Sequence, residues 1–184
     1  MKYNKIRHSL YLNMALIKSI SGIRGTIGGK ISENLTPLDA VLYASAFARW
    51  LKENQKADSY KVVVGRDTRI SGSMIQGLVN QTLVGYGIDV LDLGLSTTPT
   101  VEIAVTTNQA NGGIIITASH NPKQWNALKL INNRGELLNS ASSKEILEFA
   151  NKLGFEYANI DHLGKIIKVR GAIEDHIQKV LELQ

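Results

Sequence analysis

Three nearly continuous apolar runs constrain this chain more than any other feature: residues 60–65 (Tyr-Lys-Val-Val-Val-Gly), 88–93, and 112–117 (Gly-Gly-Ile-Ile-Ile-Thr). A strand exposed on one side alternates apolar and polar residues, whereas a strand covered on both faces reads as an unbroken apolar run. Helical stretches separate the runs, and strand–helix–strand units close into parallel pairs by right-handed crossovers. The expectation is an α/β fold, with three α/β/α layers around a mixed, mainly parallel sheet. Residues 128–131 make it mixed. They follow the third run after a short loop, end in an Asn132-Asn133-Arg134-Gly135 hairpin signal, and add an antiparallel strand.

The helices carry their own punctuation. In Thr36-Pro37-Leu38-Asp39, Thr36 is expected as N-cap, Pro37 as the first helical residue and Asp39 as the acid of the first turn. Leu38, Val41, Leu42, Ser45, Ala48 and Leu51 then recur at helical spacing as the expected buried face. A second helix starts at Ser71-Gly72, buries Met74, Ile75, Leu78, Val79, Thr82 and Leu83, and ends at Gly85 or Gly87. A third covers residues 99–109. Ser142 or Ser143 is expected to cap a fourth, through Leu153. Upstream, residues 15–20 form a short apolar strand that ends at a Ser21-Gly22-Ile23-Arg24-Gly25 loop, and a Gly-rich turn follows at Gly28-Gly29. The pattern divides the chain into a flexible basic leader over 1–14, a domain over 15–170, and a C-terminal helix over 171–184.

With 43% hydrophobic and 20% charged residues, 16 Gly and 3 Pro, the chain is neither collagen-like nor disordered. The absence of cysteine removes disulfides, thiolate metal sites and Cys nucleophiles. No apolar run approaches the ~20 residues of a membrane span, so no membrane partner is expected and the location is expected to be cytoplasmic. The net charge of +5 invites a nucleic-acid reading. Lys2, Lys5 and Arg7 in the leader carry most of that surplus, however, and from Met14 onward 18 basic residues face 16 acidic ones. Aromatics are 6% and do not interleave with a basic stripe. No nucleic-acid partner is expected, and any anion handled is small.

In open α/β sheets ligands gather beyond the carboxyl ends of the strands. Three segments expected there are Arg66-Asp67-Thr68-Arg69, Ala118-Ser119-His120-Asn121-Pro122, and Ser21-Gly22-Ile23-Arg24-Gly25. Arginine forks suit phosphate oxygens, and glycines let backbone N–H groups approach them. The residues therefore point to a phosphorylated small molecule beside a serine. Ser119 is no hydrolase elbow, because Thr117 and Asn121 stand where that motif needs glycines. Adjacent side chains on extended backbone point apart, so His120 is expected to face a ligand rather than to activate Ser119. Asp67 reads as a structural partner of its arginines, while Arg66 and Arg69 are equally compatible with ion pairing and with ligand contact. Lys129 alone reads as a solvated strand residue, Trp125 as packing, and His8, His162 and His176 as surface residues.

Thr117-Ala118-Ser119-His120-Asn121-Pro122 resembles the phosphoserine loop of the α-D-phosphohexomutases, the phosphoglucomutase, phosphomannomutase and phosphoglucosamine mutase family. Ser21-Gly22-Ile23-Arg24-Gly25, Gly65-Arg66-Asp67-Thr68-Arg69 and Trp125-Asn126-Ala127-Leu128-Lys129 resemble further blocks of that family, in its order and spacing. Ala127 departs from the Gly that many members carry. The resemblance covers the first of the family's four domains. It implies that Ser119, as phosphoserine, exchanges its phosphoryl group with a hexose 1- or 6-phosphate through a bisphosphate. Arg24, His120 and Lys129 would be the other catalytic residues, and Arg66, Arg69 and Asn121 the phosphate-binding ones.

The resemblance also implies Mg²⁺, held through the Ser119 phosphate and by an Asp-Gly-Asp-x-Asp-Arg run that this sequence does not contain. A glucose 1,6-bisphosphate-type activator and domains II–IV of the same chain are the other implied partners, and the isolated segment is expected to be inactive. The competing readings are a sugar-phosphate phosphatase and a stand-alone phosphate-binding module.

Overall fold

The structure, a computed structural model, describes residues 16–19 and 22–183. The expected leader over 1–14, and Ser21 of the first loop, lie outside the described residues. In chain order the elements are β1 (Ile17–Ser19), β2 (Gly22–Thr26), α1 (Pro37–Asn54), β3 (Tyr60–Arg66), α2 (Gly72–Gly85), β4 (Ile88–Leu95) and α3 (Thr98–Thr107). They continue as β5 (Gly112–Ile116), β6 (Trp125–Ile131), α4 (Ser140–Lys152), a 3-10 turn (Ile160–His162), β7 (Ile166–Lys168) and α5 (Ala172–Leu181).

The seven described strands form one sheet in the order β1-β2-β6-β5-β3-β4-β7. The three apolar runs are its parallel centre, with β3 hydrogen-bonded to β4 on one side and to β5 on the other. β6 joins β5 antiparallel, as the hairpin signal implied, and β2 joins β6 antiparallel. The fold is therefore three-layered and mixed. Alternate residues of the strands feed two cores. Val62, Val64, Ile114, Ile116 and Leu128 pack beneath α1, α2 and α4, while Val63, Ile115 and Ile131 meet α3. α5 packs on the outside of α3.

α1 begins as its punctuation required. Thr36 accepts a hydrogen bond from the Asp39 amide, the Asp39 carboxylate accepts one from the Thr36 amide, and Pro37 is the first residue. Such a reciprocal cap satisfies two of the orphan donors at a helix start.

Elsewhere the structure corrects the sequence reading. Leu38 and Met74 are exposed and Val41 and Leu42 are half-buried, while Ser45, Ala48 and Leu51 are buried as expected. α1 also buries Ala40, Tyr43, Ala44 and Phe47, because α2 and α4 flank it on the sheet. Asn139 caps α4 by accepting from the Ser142 amide at 2.9 Å, so Ser142 and Ser143 fall inside its first turn. Ser71 makes no cap bond, its hydroxyl being taken by the Asn126 amide group at 2.9 Å. β6 starts at Trp125, three residues earlier than expected. His176 is half-buried between α5 and α3, with Nδ1 2.9 Å from the Thr100 hydroxyl, and is not a simple surface residue.

The most consequential correction concerns residues 21–25, expected as a loop beyond the first strand: Gly22–Thr26 is strand β2, between β1 and β6. The glycines misled. Gly22 has φ of +112°, and a β-carbon there would stand 2.3 Å from the Leu128 carbonyl oxygen. The segment needs glycine for a close strand approach rather than for a turn.

Candidate functional site

The site is built where β3 and β5 end side by side. Residues 117–125 leave the carboxyl end of β5, double back and enter β6. Arg66-Asp67-Thr68-Arg69 leaves the end of β3 beside them. Ser119 and His120 are exposed at this rim. Ser119 adopts φ of +55°, a left-handed conformation uncommon outside glycine, asparagine and aspartate. That geometry overturns the extended backbone assumed for the pair. The Ser119 hydroxyl and His120 Nδ1 lie 3.5 Å apart, at the outer limit of a hydrogen bond, instead of pointing opposite ways.

Arg24 reaches the loop from β2. Its Nη1 donates to the Asn121 side-chain oxygen at 3.2 Å across 97 positions of sequence. Arg24 pairs with Ala127 on β6, so Lys129, two residues further along, projects from the same sheet face. This is the face on which Ile115 and Ile131 pack against α3, and α3 lies over β3 and β5, leaving β2 and β6 beyond it. Lys129 is half-buried there. The sheet therefore places two cations on one face and the Ser119 loop at its end.

The other arginines face inward. Arg66 donates from Nε to Gln76 on α2 at 3.0 Å and from Nη1 to the Asp67 carbonyl at 3.0 Å. Gln76 in turn donates to Asp92 at 2.8 Å. Arg69 gives all five of its N–H groups to the protein. Nε donates to Asp67 at 3.1 Å, Nη1 to the carbonyls of Pro122 and Trp125 at 2.9 and 3.0 Å, and Nη2 to those of Ser119 and Asn121 at 2.7 and 2.7 Å. Asp67 also accepts from the Arg69 amide at 3.0 Å and from the Thr117 hydroxyl at 2.6 Å. The Thr117 oxygen receives the Ser119 amide at 3.0 Å. Asp67 thus has the structural role expected of it.

Thr117 and Asn126 were not singled out from sequence. Their partners, Asp67 and Ser71, lie 50 and 55 positions away, and no local pattern announces such a pairing.

Among the described residues, no three or more His, Cys, Asp or Glu side chains converge to hold a metal ion. The donors present do not fit the Mg²⁺ that the resemblance implies. Among the described residues there is likewise no helix long and apolar enough to cross a membrane.

Comparison with known proteins agrees with this fold. The family model described as phosphoglucomutase/phosphomannomutase, alpha/beta/alpha domain I, matches residues 16–157. The chain is 35% identical over 167 residues to a protein of Methanosphaera stadtmanae named "Probable phosphoglucosamine mutase", covering 90% of the chain and 36% of that relative. It is 35% identical over 160 residues to a phosphoglucomutase/phosphomannomutase of Thermococcus kodakarensis, covering 86% of the chain and 34% of the relative. A crystal structure of a phosphoglucomutase/phosphomannomutase family protein from Burkholderia thailandensis superposes with a TM-score of 0.73 at 24% identity, over 91% of this chain and 36% of that one. The chain spans about a third of the length of the curated relatives it matches.

Proposed function

Since the chain belongs to the phosphoglucomutase/phosphomannomutase family and matches its α/β/α domain I, we propose that it carries the phosphoryl-exchanging serine of a hexose phosphate mutase. The observation that carries this reading is Ser119 itself: an exposed hydroxyl on a left-handed residue at the end of β5, in a loop that Arg24 reaches from β2.

In this reading Ser119 rests as its phosphate ester. A hydroxyl of a hexose 1- or 6-phosphate attacks the phosphorus, the P–Oγ bond breaks, and the P–O bond to the sugar forms. The hydroxyl proton leaves to a base, the role proposed for Lys129, and a proton reaches the departing Oγ, so that the products are the sugar bisphosphate and a free serine hydroxyl. The bisphosphate turns over in the site and its other phosphoryl group returns to Oγ, the proton passing back to the sugar oxygen released. Phosphoryl transfer is mainly positioning and the neutralisation of charge spreading over the transferring oxygens. Arg24, oriented by Asn121, supplies the positive charge, and His120 meets the sugar at the exposed rim. The domains that would complete the site, and a hexose bisphosphate to prime it, belong to the same proposal. The chain's own share is to hold Oγ and the cations in place.

The test is the mass of the protein isolated from cells, together with Ser119→Ala in the chain joined to the remaining two-thirds of a relative's length. An increment of one phosphoryl group that maps to Ser119, and loss of at least about a thousandfold in mutase rate on substitution, are expected. Unmodified protein whose activity survives Ser119→Ala overturns the reading, as does release of inorganic phosphate without isomerisation.

A further inference from the structure

We infer that Arg69 is a positioning residue, the clamp that fixes the Ser119 loop, and that it does not bind the substrate's phosphate. The inference rests on the proposed phosphoryl exchange at Ser119 for its catalytic meaning, and on geometry alone for the clamp.

Four backbone carbonyls of one loop, those of Ser119, Asn121, Pro122 and Trp125, turn inward onto a single guanidinium. Carbonyl dipoles collected in that way repel one another unless a cation sits among them, and a planar fork with five fixed donors suits the arrangement. The fifth donor goes to Asp67, whose carboxylate offsets the buried charge of a side chain only 12% exposed. No N–H group of Arg69 is left for a ligand.

The same carboxylate extends the clamp to the other side of the serine. Asp67 accepts the Thr117 hydroxyl, and that hydroxyl oxygen accepts the Ser119 amide. The amide and the carbonyl of Ser119 are therefore both tied, by separate routes, to the Asp67–Arg69 pair. A left-handed serine costs of order 1–3 kcal/mol and persists only where its surroundings over-determine it. Here both flanking peptide units are held, and Oγ, 3.5 Å from His120 Nδ1, is the part of the residue exposed at the rim. A sequence motif that looks like a phosphate cradle, Arg-Asp-Thr-Arg, is in its second arginine a loop anchor.

The test compares Arg69→Lys and Arg69→Ala in the 184-residue chain, read by amide hydrogen exchange in the loop. A lysine has three donors on one atom and cannot span four carbonyls and a carboxylate. The amides of Ser119, Asn121 and Trp125 are expected to exchange about tenfold faster or more in both variants, as loss of a charge-assisted bond implies, with β3 and β5 unchanged. Inorganic phosphate, as the probe, is expected to move the NMR signals of Arg24 and Asn121 and to leave the Arg69 Nε–H signal in place.

In the mutase-active protein, Arg69→Lys is expected to lower kcat about 100-fold with KM for the hexose phosphate within about twofold. Thr117→Val is expected to lower kcat in the same way, and Thr117→Ser to restore it. Loop exchange unaffected by Arg69→Lys, or a loss of activity carried by KM with phosphate shifting Arg69 Nε–H, overturns the inference. If no variant, wild type included, isomerises a hexose phosphate, the functional reading falls while the exchange data still decide whether Arg69 holds the loop.

Discussion

At Gly22 the fold and the site depend on a single missing methyl group. The residue lets β2 lie close against β6, and the next outward residue on that strand is Arg24, which reaches Asn121. In Gly22→Ala the new β-carbon would lie 2.3 Å from a backbone oxygen, at φ of +112°. The nearest atoms all belong to the backbone of Leu128 and Lys129, none to the end of a flexible side chain, so β2 must move. The expected cost is roughly 2–3 kcal/mol, measured as a lowered urea midpoint, together with a loss of activity larger than stability alone explains because Arg24 shifts with its strand. A variant as stable and as active as the parent would show that the approach is not needed.

Residues differ in how far they announce their role. Ser119 was legible because a six-residue motif surrounds it. The roles of Arg69 and Thr117 were not, since they lie in hydrogen bonds that close across 50 or more positions. Sequence places an arginine near a loop, and only the fold counts its donors.

Among the elements, β3, β4 and β5 were readable because burial on both faces leaves a chemical trace, an apolar run with helices between. β2 was not, because Gly22 and Gly25 are signals of a turn as much as of a close approach. β7 was not either. Its three residues, Ile166–Lys168, are all exposed at the sheet edge and carry no buried period.

The junction after α2 shows what burial does to a group without a partner. Tyr86 is the residue that ends α2, and its ring packs edge-on against Phe155 and Tyr157 while Lys52 donates to its carbonyl at 2.6 Å. Its hydroxyl is buried and has no hydrogen-bond partner. Burial first, and then the neighbouring Tyr157, push the phenol up to about 12. In the unfolded chain the group ionises near 10. The unfolded state therefore loses its proton first as pH rises, and the stability tied to the neutral ring is full below about pH 10 and is lost between about 10 and 12. Tyr86→Phe removes an unsatisfied hydroxyl and keeps the ring. It is expected to stabilise the protein by about 1 kcal/mol and to flatten that alkaline decline. Thermal melts across the alkaline range test both effects, and a destabilised variant would mean that the hydroxyl has a partner in solution.

On the scale of the whole molecule, the two cores hold up the sheet face and the loop on which the proposed chemistry rests. The sheet places an arginine and a lysine on one face and a serine loop at its end, that loop held by Arg69. The described residues supply no cluster of carboxylates for a divalent cation, and the Asp-Gly-Asp-x-Asp-Arg run is absent from the sequence. In the proposed exchange, Arg24 alone leaves much of the transferring phosphoryl group's charge unmet. The 184-residue chain is therefore expected to unfold cooperatively, to be competent to carry phosphate on Ser119, and to show no hexose phosphate isomerisation by itself. Supplied with the other two-thirds of a relative's length, joined in one polypeptide, it is expected to turn over and to depend on Mg²⁺. Coupled assays of the two proteins side by side decide the matter. Turnover by the short chain alone would mean that its own residues complete the site, and a silent long chain with Ser119 phosphorylated would move the missing chemistry to the match between this domain and its neighbours.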